Sequence, residues 1–397
     1  MKVSAQELRL HDARTHELGF LAAALGAFAI AAAICNGATP TQDTTEPIWP
    51  TKEWQSSSPE EQGMDSKELA KLVDFGTVHS FDSLLVARHG KVVAEAYYAP
   101  YSAGIPHVIN SCTKAVISTL TAIALKEGLL DNPSHRVMDF FDRQSIANVD
   151  DRKEAITVQS LSDMTSGIEW TERLGDSSAA AVETESEMDS SPDWVKFILD
   201  RPMSSAPGDI FNYNSGNTHL LSAILTKLTG MSALEYAKSK LFGPLGITKV
   251  SWQHDPQGIS NGGWGLSLLP RDMAKIGYLH LRKGLWEGQE LLPPAWIDKV
   301  SHATVDMRLG GLRYSDLFWA LPDKRVYMAV GRNGQVIMVF SNLDVVAVTT
   351  GRENYRLGEL ADSISRSVKS DMVLPVDSAG AKLLANKILD VSSGKAH

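Results

Sequence analysis

Strand-forming runs stand at the two ends of this 397-residue chain, with helical and turn-rich sequence between them. Near the start, SLLVARHGKVVAEAYYA (83–99) holds two apolar, β-rich runs around His89-Gly90, which is the pattern of a hairpin. Near the end, RVYMAV, QVIMVF and DVVAVTT are separated by Gly331–Gly334 and Ser341–Asp344. Three such runs with short polar joins read as an antiparallel meander. Helical periodicity appears over Ser66–Phe75, Ser111–Leu129, His219–Leu228 and Arg271–Lys283. Tight turns are marked by Thr165-Ser166-Gly167, Pro207-Gly208 and Pro244-Leu245-Gly246. The expected fold is therefore α/β of the α+β type. One antiparallel sheet draws strands from both ends of the chain and is flanked by helices, with a helical insertion in the middle. The sheet part is expected over 60–155 and 265–370, and the helical part over 156–264. No pattern is legible in the tail, 371–397.

The first residues point to export. Lys2, Arg9 and Arg14 mix with Glu7, Asp12 and Glu17, and an uncharged, Ala-rich run follows from Leu18 to Cys35. A polar linker, NGATPTQDTTEP, comes next. Residues 1–36 read as a secretory signal or an uncleaved membrane anchor, and 37–59 as a linker. The acidic residues ahead of the run are atypical of a signal. Ile34 before Cys35, where a lipoprotein signal wants a small residue, disfavours lipidation. The expected location is the periplasm or the outer face of a membrane, with membrane association through residues 18–35 if the segment is retained. Once the segment is removed, Cys112 is the remaining cysteine and no intramolecular disulfide is possible.

Hydrophobic residues make up 43% and charged residues 21%, as in a soluble enzyme. The net charge is -9 and no basic run interrupts the acidity, so nucleic acid is not an expected partner. The sequence has no HExxH and no CxxC pair, and no metal or other cofactor is expected.

Three stretches carry chemistry. Acyl transfer by a serine needs an activated hydroxyl, a base for its proton and donors for the oxyanion. Ser111-Cys112-Thr113-Lys114 opens an apolar helix and places serine and lysine one turn apart on the same face. A buried Lys114 would be expected to have a lowered pKa and to act as base. Alone, Ser-x-x-Lys is weak: it recurs at Ser392–Lys395, and an N-cap serine with a snorkelling lysine reads the same way. The second stretch, PGDIFNYNSGN (207–217), sets Tyr213 and Ser215 on a loop before an apolar helix. A phenol close to an ammonium ionises more readily and can relay a proton, although a packing tyrosine is the other reading. The third, AVGRNGQ (329–335), puts Gly331 where backbone can approach a ligand closely. The N–H of Arg332 could then pair with that of Ser111 as an oxyanion hole. A plain hairpin turn is the alternative.

In this order, Ser-x-x-Lys, Tyr-x-Ser and a glycine-bearing β-strand motif resemble the serine β-lactamase/penicillin-binding-protein superfamily over about residues 60–370. That superfamily includes class C β-lactamases, DD-peptidases and esterases. LSDMTSGI (161–168), LFGPLGI (241–247) and GGWGLSLLPRDMAKIGYL (262–279) are also similar, and Gly331–Gln335 most resembles the 6-aminohexanoate-dimer hydrolases, amidases of this superfamily. The resemblance implies a β-lactamase-like sheet with a helical insertion domain. It implies Ser111 as nucleophile, Lys114 as base, Tyr213 as acid/base, and the N–H groups of Ser111 and Arg332 as oxyanion donors. Trp170, Ser215 and Gly331 would line the substrate pocket. The family's Lys-Thr-Gly or His-Thr-Gly is replaced by Ala329-Val330-Gly331, which removes the cation that holds a substrate carboxylate. An esterase or amidase acting on a small ester or amide is therefore expected, with a β-lactamase or DD-peptidase as the alternative. A silent cell-envelope binding protein of the same fold is a reading of another class.

Overall fold

The computed structural model describes residues 47–172, 174 and 184–395. The apolar run Leu18–Cys35 and the first part of the expected linker lie outside the described residues. Among the described residues no helix is long and apolar enough to cross a membrane.

Nine strands form the main sheet: β1 (Gln55–Ser56), β2 (Phe81–Arg88), β3 (Lys91–Tyr97), β4 (Val305–Asp306), β5 (Arg313–Ser315), β6 (Phe318–Leu321), β7 (Val326–Gly331), β8 (Gln335–Phe340) and β9 (Val345–Gly351). Their spatial order is β1-β3-β2-β9-β8-β7-β6-β5-β4. All pairs are antiparallel except β1 with β3. The β2–β3 turn has both central residues at positive φ, His89 at 51° and Gly90 at 77°, the twist a two-residue hairpin demands. The two ends of the chain meet where β2 pairs with β9, from Val345 opposite Arg88 to Gly351 opposite Phe81. Every residue of β2, β8 and β9 is buried, so both faces of the central sheet are covered.

Helices supply that cover. α1 (Ser66–Val78), α5 (Leu357–Ser367) and α6 (Ser378–Ser392) pack together beside β2 and β3, while α2 (Cys112–Lys126) and α4 (Pro270–Leu281) pack on β7, β8 and β9. α3 (Ser215–Thr229) is the central helix of the insertion and packs against α2. A small sheet, His107–Val108 with Leu266–Leu268 and Ser251–Trp252, joins the insertion to the segment ahead of α2.

Two boundaries differ from the sequence reading. The expected linker ends early: from Pro47 the chain belongs to the domain, with Trp54 buried and Gln55–Ser56 paired to Lys91–Val92. The tail also folds, as α6 on α1. It is tied down by Arg88, a fully buried guanidinium that donates to the Ser370 carbonyl at 2.6 Å, the Gln62 carbonyl at 2.7 Å and Asp371 at 2.7 Å. Four short, weakly patterned strands escaped the sequence reading: β1, in the expected linker, and β4–β6.

Candidate active site

Ser111 is the residue just before α2, half-buried, with φ −68° and ψ −5°. Asn110 before it has φ 47°, a left-handed conformation that asparagine tolerates better than most residues. The Asn110 side chain donates from Nδ2 to the Arg332 carbonyl at 2.9 Å, clamping the entry to α2 against the end of β7. Ile109 N–H donates to the Leu266 carbonyl at 2.8 Å, extending the small sheet to the same point. Gly331 closes the contact. A Cβ there would lie 2.5 Å from the Ile109 carbonyl and 3.1 Å from the Ser111 nitrogen. Two backbone segments that sequence reasoning named as the oxyanion pair are thus side by side.

Lys114 lies one turn into α2 and is 1% exposed. Its Nζ donates to Ser111 Oγ at 2.9 Å and to the Gly263 carbonyl at 2.9 Å. It also sits 4.8 Å from the Tyr213 ring centroid. The buried Tyr213 phenol interacts with both the Ser111 hydroxyl and the Lys114 ammonium. Tyr314 and Trp319 hold its ring edge-on, with centroids 6.4 and 6.2 Å away. Ser111 and Lys114, one turn apart, and Tyr213, 99 residues beyond Lys114, come together in one group.

The protonation of this group differs from the sequence expectation. Burial does pull the Lys114 ammonium down, but Tyr213, Glu172 and Glu185 outweigh it and hold Lys114 above the usual lysine value. Burial pushes the Tyr213 phenol up, Lys114 pulls it back, and Glu172 pushes it up again; the net direction is upward. The resting pair is therefore an ammonium beside a neutral phenol. Lys114 carries no free lone pair in that state, and a proton must leave the pair before it can accept one from Ser111.

Glu172 was not found from the sequence. Its Oε1 accepts from Ser215 Oγ at 2.6 Å, and its Oε2 accepts from Ser215 N–H at 2.7 Å and from Trp170 Nε1 at 2.8 Å. Ser215 is accordingly the first residue of α3 rather than a loop residue, 1% exposed, with its hydroxyl committed to Glu172. Trp170, expected to line the pocket, is 5% exposed and packs against Gly216, where a Cβ would come within 2.9 Å of the indole. Both residues are buried and their polar side-chain atoms are committed to Glu172, which a Tyr-x-Ser pair and a tryptophan after a turn do not reveal in the sequence.

Arg332 turns its guanidinium toward Glu185, with Nη2 and Oε2 3.7 Å apart, and its side chain is 58% exposed. Ala329 is buried and Val330 half-buried on β7, so neither offers a cation. Among the described residues no cluster of three or more His, Cys, Asp or Glu could hold a metal ion.

A sheet closed by the two chain ends, a helical insertion, and a serine–lysine–tyrosine group between them define a hydrolase of the serine β-lactamase superfamily. The chain belongs to the Beta-lactamase family, whose profile matches residues 81–356. It is 26% identical over 230 residues to the 6-aminohexanoate-dimer hydrolase of Paenarthrobacter ureafaciens, a match spanning 55% of this chain and 56% of that protein. The chain thus spans little more than half the length of that relative. Two solved structures share the fold. EstCE1, a hydrolase with promiscuous acyltransferase activity, superposes with TM-score 0.60 at 15% identity, covering 77% of this chain and 99% of EstCE1. An octameric penicillin-binding-protein homologue from Pyrococcus abyssi gives 0.59 at 19% identity, covering 78% and 79%.

Proposed function

We propose that this protein is a serine hydrolase that cleaves ester or linear amide bonds through an acyl-enzyme on Ser111. The observation that carries this is the buried Lys114 ammonium, 2.9 Å from Ser111 Oγ and 4.8 Å from the centroid of the buried Tyr213 ring. Once the pair has lost one proton, the favoured species is a phenolate beside an ammonium, since the two opposite charges then sit together in a dry site. The phenolate takes the Ser111 proton as Oγ attacks the acyl carbon. The oxyanion forms beside the Ser111 and Arg332 backbone. Tyr213 then returns the proton to the departing alcohol or amine, and the C–O or C–N bond breaks. Water repeats the sequence in reverse roles to release the acid.

Neutral substrates suit the site better than β-lactams or peptidoglycan peptides. Those present a carboxylate near the scissile bond, and Ala329 and Val330 supply nothing to hold it. Arg332 follows directly after β7, and its guanidinium is turned to Glu185. The likeness to a 6-aminohexanoate-dimer hydrolase and to EstCE1 supports an acyl-transfer reading of the same kind.

Intact mass spectrometry after mixing with a p-nitrophenyl ester tests the proposal. The wild type gains the mass of one acyl group and the Ser111→Ala variant gains none. Acylation of the alanine variant, or its retaining more than a few per cent of activity, overturns the assignment.

A further inference from the structure

Glu172 is a half-buried carboxylate that the acyl-transfer steps above never touch, yet it is bonded to three separate donors at the edge of the site. All three bonds are short, 2.6–2.8 Å, and two of them end on Ser215, the first residue of α3. The N-terminus of a helix presents unpaired N–H groups and positive dipole, so a carboxylate placed there fixes the first turn. Tyr213 lies two residues ahead of Ser215, and Asn214 between them caps the helix by accepting from Asn217 N–H at 3.1 Å. Anchoring Ser215 therefore anchors the phenol. On the other side Trp170 is pinned against Gly216 by the same carboxylate.

We propose that Glu172 is a positioning residue of this site: its carboxylate locks the first turn of α3, and with it Tyr213, and supplies the fixed negative charge against which the Lys114–Tyr213 pair exchanges its proton. The inference rests on the acyl-transfer reading for its catalytic meaning, although its structural half does not.

The charged and titratable groups around the pair are few. Lys114 and Cys112 come from α2, with Cys112 Sγ turned to the Gln335 carbonyl at 3.2 Å. Tyr213 precedes α3, and Tyr314 stands on β5 with its ring against Tyr213. Glu185, on the short helix Thr184–Asp189, bears on Lys114 and is paired to Arg332. Glu172 is the carboxylate that acts on Lys114, Tyr213 and Tyr314 together. Its negative charge opposes loss of a proton from the pair, so its removal lets the proton leave at lower pH.

Glu172→Gln removes the charge and keeps the shape. The amide oxygen can still accept from Ser215 N–H and Trp170, while its NH2 donates to a Ser215 hydroxyl turned to accept. The phenol ionisation of Tyr213 is read from the absorbance difference at the tyrosinate band between each protein and its Tyr213→Phe counterpart. The expected result is a midpoint lower by at least about half a pH unit in Glu172→Gln, since the charge is lost while the shape is kept. The rising limb of kcat/KM against pH for a p-nitrophenyl ester moves the same way. A downward shift smaller than about 0.5 unit in the titration overturns the inference, since a merely structural carboxylate would not move it. Glu172→Asp keeps the charge on a shorter stem. It should leave the midpoint within about 0.3 unit while lowering kcat about tenfold or more through lost placement. If the glutamine variant does not fold, the aspartate variant decides, and an unchanged kcat overturns the positioning role. Hydrolysis retained by Ser111→Ala would sink the functional reading without touching the titration; an unmoved titration with Ser111→Ala inactive sinks this inference alone.

Discussion

Gly331 is the most exacting residue of the candidate oxyanion site, and Gly331→Ala isolates what it does. Its φ of −124° is open to any residue, so alanine meets no backbone strain. The effect is steric. An added Cβ would stand 2.5 Å from the Ile109 carbonyl and 3.1 Å from the Ser111 nitrogen. Ordinary contact begins near 3.4 Å, so the end of β7 must retreat from the Ser111 segment by about 0.9 Å. Donors that stabilise an oxyanion work at 2.7–3.1 Å, and a shift of that size carries Arg332 N–H out of range. Loss of one such donor costs about 10²–10³ in kcat. The Asn110–Arg332 clamp and the β7–β8 ladder oppose the shift, so stability falls by about 1–3 kcal/mol, the usual cost of overpacking. Steady-state hydrolysis of a short p-nitrophenyl ester, run beside thermal unfolding, measures both. The expected outcome is a large loss in kcat, KM changed by no more than a few-fold, and a folded protein. A folded Gly331→Ala variant with kcat within threefold of wild type would refute the placement of Arg332 N–H as a donor.

Three further outcomes follow from the same geometry. Lys114→Ala and Tyr213→Phe each lower kcat by orders of magnitude, and the double variant is little worse than either, because the two residues act as one proton-transfer unit; additive losses in the double-mutant cycle contradict this. Both groups are held protonated above their usual values, so the reactive, singly deprotonated pair grows as pH rises. kcat/KM for a neutral ester should accordingly climb about tenfold per pH unit below the pair's titration, and a profile flat from pH 6 to 9 contradicts the assigned resting state. A short-chain p-nitrophenyl ester should exceed a chromogenic cephalosporin in kcat/KM, since a charge-assisted bond to the cephalosporin carboxylate, worth about 1.5–3 kcal/mol, has no cation at 329 or 330 to make it. A clear win for the cephalosporin returns the protein to the β-lactamase reading.

Much of the fold was legible because its central strands are buried on both faces. Runs such as QVIMVF and DVVAVTT are apolar throughout, and that is the signal a covered strand leaves. The β2–β3 turn was legible through His89-Gly90. β4–β6 were not, being two to four residues long and half-patterned. α6 was missed for a different reason. It buries only Gly380, Leu384 and Val391, too few to set a helical period. Within the site, Ser111, Lys114 and Tyr213 were singled out because three motifs, each weak alone, occur together and in order along the chain. The direction of the Lys114 shift was misjudged because burial is legible in an apolar helix, whereas the carboxylates at 172 and 185 reach Lys114 only through the fold.

The same distinction governs what kind of residue escapes a sequence reading of such a site. The proposed reacting groups come from segments around 111, 213 and 331, and each is held in place by something with no chemical signature of its own. Gly331 works by the absence of a Cβ, Asn110 by a tolerated left-handed turn, and Gly263 by a carbonyl that receives Lys114. Glu172 is the exception in being ionisable, and it was overlooked because its partners are a backbone N–H, a hydroxyl and an indole rather than another charge. A serine–lysine–tyrosine set on an unrelated scaffold would have the same reagents. What makes them one unit here is that Asn110 and Gly331 hold the entry to α2 against the end of β7, while Glu172 fixes the first turn of α3 just behind Tyr213.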